Sequence, residues 1–259
     1  VPGVTALVAA GCGLLGLLVG SFLNVVIHRV PRHESVVRPR SRCPGCGTTL
    51  AERDNIPVLS WLVLRGRCRT CGEPISARYP AIELLTALVF AAVGARFGAD
   101  WSVPAYLVLA AALLAVSAID LEHFVVPNRV LLATVAVGVP LLVLAAAVDH
   151  RWDDLGTAAI GAAVAFALLL VINLVNPRGM GMGDVKLAGV LGAWLGFLDL
   201  GHVFLGLFLG FLLGSVGGIL LIATGVRSRK DHIPFAPFLA AGALLAVLVG
   251  GPLLDWYGG

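Results

Sequence analysis

Apolar residues along this chain come in long unbroken runs, not in the alternation of strands or the three-four spacing of amphipathic helices. Eight runs stand out, at 4–27, 80–98, 103–120, 127–148, 155–175, 185–199, 202–224 and 234–254. Most reach or approach the ~20 residues that a helix needs to cross a bilayer. The sixth has only 15 residues, and Gly189, Gly192 and Gly196 mark it as tilted, locally thinned or broken. The first run is too long for a signal-peptide core, and basic residues follow it instead of preceding it, so it reads as a retained span. The chain starts at Val1, so an initiator residue or a short tail is expected before it. The pattern predicts an all-α polytopic membrane protein of about eight transmembrane helices. It divides into a first transmembrane helix (1–27), a polar loop domain (28–79) and a transmembrane helical core (80–259).

Composition agrees with that reading. Of 259 residues, 59% are hydrophobic and 13% charged, about half the charge of a soluble domain, and the mean hydropathy is +0.96. A net charge of +3 is too small to point to nucleic acid. Where the charge sits is more informative. Ten of the 18 Lys and Arg residues fall between Arg29 and Arg78, so that stretch lies outside the bilayer. With this loop placed in the cytoplasm, Arg129, Arg178, Lys186, Arg227, Arg229 and Lys230 join it there, 16 of 18 in all. Only Arg96 and Arg151 fall on the other side. Lys/Arg bias in short loops sets orientation, so both termini are expected to face away from the cytoplasm. On span seven, Gly206, Gly210, Gly214 and Gly218 recur every four residues, with Gly217 beside the last. That stripe suits close helix packing.

The loop carries two C-x2-C pairs, Cys43/Cys46 and Cys68/Cys71, with 21 residues between them. Each pair forms a knuckle that points two sulfurs inward, and two knuckles complete a tetrahedral four-thiolate site. Gly47 and Gly72 follow the second cysteine of each pair, where the turn favours positive φ. Disulfides are the competing reading, but cytoplasmic thiols stay reduced. Zinc or another thiophilic metal is expected. A loop of about 50 residues has too little core to fold unaided, which makes the metal structural. Cys12, within the first span, reads as a plain small apolar residue.

Most acidic residues lie in loops, but two do not. Asp120 ends the third span and Asp184 opens the sixth, so opposite helix directions bring both carboxylates to one membrane face. Ionisable groups cost roughly 2.5–3.5 kcal/mol at mid-span and less near the interface, and they usually mark function. Asp184 has an ordinary alternative as a helix cap. Asp120 has a weaker one, because a helix C-terminus disfavours negative charge. Helix polarity also suggests a division of labour, with Asp184 ionised at rest and Asp120 holding a shared proton. Two such carboxylates can act as general acid and general base on a water molecule. By themselves they also suit a proton- or ion-coupled transporter, whereas a membrane scaffold with a zinc domain would leave Asp120 unexplained.

The ordered set of motifs resembles the prepilin peptidase, or type IV leader peptidase, family of GxGD-type aspartic proteases. It comprises Gly20-Ser21-Phe22-Leu23-Asn24 through Arg29, both cysteine pairs, and Asn55-Ile56-Pro57-Val58-Leu59-Ser60-Trp61-Leu62 between them. Arg78-Tyr79-Pro80 and Glu83 follow, then Gly181-Met182-Gly183-Asp184-Val185-Lys186-Leu187 and Ile233-Pro234-Phe235 with Pro237-Phe238. The resemblance implies that Asp120 and Asp184 are catalytic. It also implies that the partners are type IV prepilin or pseudopilin precursors, cut between a basic leader and an apolar helix, typically after Gly. The implied location is the bacterial inner membrane, multi-pass, with the active site facing the cytoplasm. Members with such a cysteine loop commonly methylate the new N-terminal amine with S-adenosylmethionine, although no glycine-rich nucleotide fingerprint is present here. One departure is Pro127-Asn128, where the family commonly has Pro-Asp; Asn128 is eight residues from Asp120, and little effect is expected.

Overall fold

The computed structural model describes residues 2–38, 40–43, 45–177, 179–225 and 233–258. Pro44 of the first cysteine pair, and Arg178, Arg227, Arg229 and Lys230 of the charge pattern, lie outside the described residues. The helices are α1 (Pro2–Arg29), the short α2 (Leu59–Val63), α3 (Arg78–Phe97), α4 (Val103–His123), α5 (Asn128–Val148), α6 (Trp152–Val175), α7 (Met182–Gly196), α8 (Leu200–Ala223) and α9 (Ala236–Gly258). Among the described residues, seven of these are long and apolar enough to cross a membrane. The exception among the eight apolar runs is α7, at 15 residues. The chain is a multi-pass membrane protein.

It falls into two compact units, Val1–Ala99 and Asp100–Gly259. In the first, α1 packs along α3 through small residues. A Cβ on Gly16 would lie 2.6 Å from the Ala87 Cα, and one on Gly20 would lie 2.7 Å from the Glu83 Cα. Neither position has room for any side chain. Cys12 is buried on the same seam, against Gly94. The polar loop joins these two helices.

In the second unit α4 is the central helix. Of its most apolar window 72% is buried, against 17% for α8, whose Phe204, Phe208 and Ile219 face outward. The glycines of α7 do not break it. They allow α6 to approach backbone to backbone: a Cβ on Gly192 would fall 2.2 Å from the Gly161 carbonyl oxygen, and one on Gly196 would fall 2.6 Å from that of Thr157. On α8, Gly210 meets the backbone of α9 at Leu239, whereas Gly214 and Gly217 make room for the rings of Phe235, just before α9, and Phe238. Trp194 of α7 is fully buried. Its indole N–H donates to the Ala105 carbonyl (2.9 Å), and its own carbonyl accepts from the Tyr106 hydroxyl (2.9 Å). That carbonyl lies in the last turn of α7, where helices leave carbonyls unpaired. The reciprocal pair fixes α7 against α4, the two helices that carry the aspartates.

Candidate active site and metal centre

The two cysteine pairs fold into near copies of one another. In the first knuckle the Cys43 N–H donates to the Thr48 carbonyl (2.9 Å) and the Gly47 N–H to the Cys43 carbonyl (2.9 Å). In the second, the Cys68 N–H donates to Glu73 (2.8 Å) and the Gly72 N–H to Cys68 (3.0 Å). Gly47 and Gly72 sit at φ 69° and 74°, where a side chain would be strained. All four sulfurs lie within 4.8 Å of one another, and the Cys43 and Cys71 sulfurs are 3.7 Å apart. A tetrahedron with Zn–S bonds of about 2.3 Å has sulfur–sulfur edges of about 3.8 Å, so the donor set fits a four-thiolate metal. All four are free thiols in the structure. Thr48, through its side chain and then its backbone N–H, lowers the Cys46 thiol to about 6. The backbone N–H groups of Cys71 and Thr70 lower Cys68 too. The second knuckle is tied down from outside by a bidentate Arg69–Asp54 pair, with Nη2 to Oδ1 at 2.7 Å.

In the second unit Asp120 and Asp184 are both buried, at 5% and 9% exposure, and close enough for their charges to interact. Asp184 lies in the first turn of α7, and the N-cap is Gly181, so Asp184 is not itself the cap. The second glycine of the GxGD motif has a local reason. A Cβ at Gly183 would lie 2.8 Å from the Val126 Cβ, so glycine there lets the start of α7 close on the α4–α5 connection, whereas one at Gly181 would only touch the Asp184 Oδ2 at 3.4 Å. The preceding turn is held by Asn173, buried near the end of α6, whose side-chain amide donates to the Met180 carbonyl (2.7 Å). Lys186 is turned away to Asn128, Nζ to Oδ1 at 3.1 Å.

Asp120 has a partner that its helix position does not suggest. The Ala236 N–H, at the first residue of α9, donates to the Asp120 Oδ2 (3.2 Å). The N-terminus of α9 therefore offers a backbone donor and a positive dipole end to a carboxylate near the C-terminus of its own helix. Both acids thus meet a helix N-terminus, and helix polarity no longer separates their roles. The only hint in the sequence was the proline spacing of Pro234 and Pro237 around this helix start.

Comparison with known proteins identifies the family. The model of the type IV leader peptidase family matches residues 107–251. The chain belongs to that family. The bacterial peptidase A24 N-terminal domain matches residues 14–97. A relative from Bacillus subtilis (strain 168), named prepilin leader peptidase/N-methyltransferase, is 37% identical over 94% of this chain and 95% of its own length. Proteins of the same name from Aeromonas hydrophila (38% identical; 94% of this chain, 91% of theirs) and Myxococcus xanthus (45%; 82% and 63%) are also similar. No solved structure matches significantly. Membership in a leader peptidase family leaves the transporter alternative without support.

Proposed function

We propose that this protein is a membrane aspartic endopeptidase that removes the leader of type IV prepilin or pseudopilin precursors and then N-methylates the exposed amine. The observation that carries the reading is the convergence of two buried carboxylates, from the C-terminal turn of α4 and the N-terminal turn of α7, in a family of leader peptidases. One carboxylate, ionised, takes a proton from a water molecule held between the pair. The other, protonated, donates to the scissile carbonyl as charge develops on its oxygen. Close like charges keep one proton on the pair, whichever oxygen holds it. The Ala236 N–H stabilises negative charge on Asp120 throughout. The precursor's apolar helix lies among the spans, which leaves the scissile bond at the boundary of the bacterial inner membrane, on its cytoplasmic face.

Cys43, Cys46, Cys68 and Cys71 hold a structural Zn²⁺ in this reading, and S-adenosylmethionine supplies the methyl group. Co-expression with a pilin precursor tests the peptidase: the wild type gives a mobility shift, and Asp120→Asn and Asp184→Asn, still inserted, give none. Processing at wild-type levels by either variant would refute the aspartic mechanism. Thiol labelling of cysteines introduced near Asp120 and Asp184, from either side of sealed vesicles, tests the orientation.

A further inference from the structure

The first unit holds a groove that neither leader cleavage nor metal binding uses. It lies between α1 and the loop that follows, with a volume of about 310 Å³, at the lower end of the range for small-ligand sites. Its α1 wall is made of Leu18, Phe22, Val25 and Arg29. Spaced by four, three and four residues, these positions fall on one face of the helix. Leu18 is 63% exposed and Phe22 50%, which in a membrane span means contact with acyl chains. From Leu18 to Arg29 the helix rises about 16 Å, close to half of the ~30 Å hydrocarbon core. The stripe therefore covers one leaflet, apolar at depth and ending on a guanidinium at the boundary.

The loop is folded back over that stripe by local bonds. After α1 the Glu34 N–H donates to the Arg29 carbonyl (3.1 Å), with His33 at φ 58°, a conformation that His adopts more readily than most residues. The Ser35 hydroxyl then accepts from the N–H groups of Val37 and Arg38, both at 3.3 Å. The Ser35 carbonyl accepts from Arg29 Nη1 (3.0 Å). Val37 and Arg40 are thereby brought across from α1. The far wall, at Asn55 and Pro57, is set by a turn in which Val58 sits at φ 60°. Val58 donates its N–H to the Glu83 Oε2 of α3 (2.7 Å), which anchors that wall to the same helix pair. Two arginines line the groove and no acidic side chain does.

We infer that this groove binds an anionic phospholipid from the leaflet on the loop's side. Its phosphate lies between Arg29 and Arg40, and one acyl chain runs along Leu18, Phe22 and Val25. The guanidinium fork matches phosphate oxygens, and each basic residue beside a membrane span favours an anionic headgroup by about fivefold. A free phosphate would meet the arginines but leave the apolar stripe without a partner. A precursor's apolar helix would cover the stripe but bring a basic leader to two arginines. Only an anionic amphiphile satisfies both walls. The bound lipid touches α1 and the loop at once, so it holds the loop to the helix.

Native mass spectrometry of the full chain in a neutral detergent, titrated with phosphatidylglycerol or with phosphatidylcholine of the same acyl chains, tests this. The wild type is expected to hold one phosphatidylglycerol at least about fivefold more tightly than phosphatidylcholine. Arg29→Gln and Arg40→Gln should each reduce that preference severalfold. Arg96→Gln, which removes a charge from the last turn of α3, should leave it unchanged. An equal loss in Arg96→Gln, or no loss in either groove variant, overturns the proposal. Inorganic phosphate separates the lipid from a free anion: it should fail to displace phosphatidylglycerol, and displacement would refute the lipid. A wild type with no headgroup preference that takes up an apolar helical peptide instead would assign the groove to the precursor and end the proposal. Phosphatidylglycerol with a photoreactive acyl chain gives a check free of variants. Label concentrated within residues 18–41 of the wild type supports the site, and label spread evenly over the spans refutes it.

Discussion

Gly138, in the middle of α5, faces the indole of Trp194. A Cβ there would lie 2.1 Å from Cζ2 and 2.9 Å from Cη2, where carbon atoms pack at about 3.5–4.0 Å. Trp194 cannot retreat freely, because it is fully buried and bonded to Ala105 and by Tyr106. Gly138→Ala gains about 0.5–1 kcal/mol of helix propensity and loses about 1–3 kcal/mol to overpacking. The net effect is a loss of up to about 2.5 kcal/mol, and the 2.1 Å overlap with a fixed ring puts it toward the upper end. Gly156 on α6 is the matched control, since nothing lies within 4 Å of a Cβ at that position. Gly156→Ala should therefore hold or raise stability. Thermal unfolding in detergent reads the stability difference, and precursor cleavage reads its consequence. Displacing Trp194 moves α7 relative to α4, the two helices that carry the carboxylates. Cleavage should fall in Gly138→Ala and stay at wild-type level in Gly156→Ala. If both variants melt and cut alike, Trp194 does not hold the two helices in register.

Other expectations follow from the same geometry. Elemental analysis should find about one zinc per chain, lost in Cys43→Ser and Cys68→Ser, with the loop then open to protease; a metal-free chain with freely titrating thiols would refute the four-thiolate site. Acidification should release that metal, because its ligands must be thiolates, and metal content measured against pH checks this. Asn128→Asp converts the 3.1 Å contact with Lys186 into an ion pair on an exposed surface. It should add at most about 1 kcal/mol, fade with salt and leave cleavage unchanged, as unfolding at low and high ionic strength would show.

Much of this arrangement was legible from the chain. The apolar runs located the helices, because a bilayer demands length and uniform apolarity. The cysteine spacing located the knuckles, because a tetrahedral site demands it. The aspartates stood out because charge is expensive where they sit. Contacts between distant segments were not legible. The Ala236 N–H on Asp120 joins residues 116 positions apart, and the prolines flanking Ala236 mark a helix start without saying which carboxylate it meets. Gly189, Gly192 and Gly196 looked like possible breaks in a short span because composition cannot separate a flexible glycine from one that admits a neighbouring backbone. Asn173, an isolated polar residue near a span end, gave no sign that it holds the turn before Gly181. Val58 is a residue that sequence reasoning would never place at positive φ.

The central claim is that Asp120 and Asp184 act as one unit. Its most direct test is the cleavage rate of a purified precursor by Asp120→Asn, Asp184→Asn and the double variant, each confirmed as inserted with metal bound. Groups that share one water and one proton are strongly non-additive, so each single variant should lose about a thousandfold or more and the double variant should lose no more than the worse single one. Multiplying losses in the double variant, or a single variant that cleaves at the wild-type rate, would contradict the account.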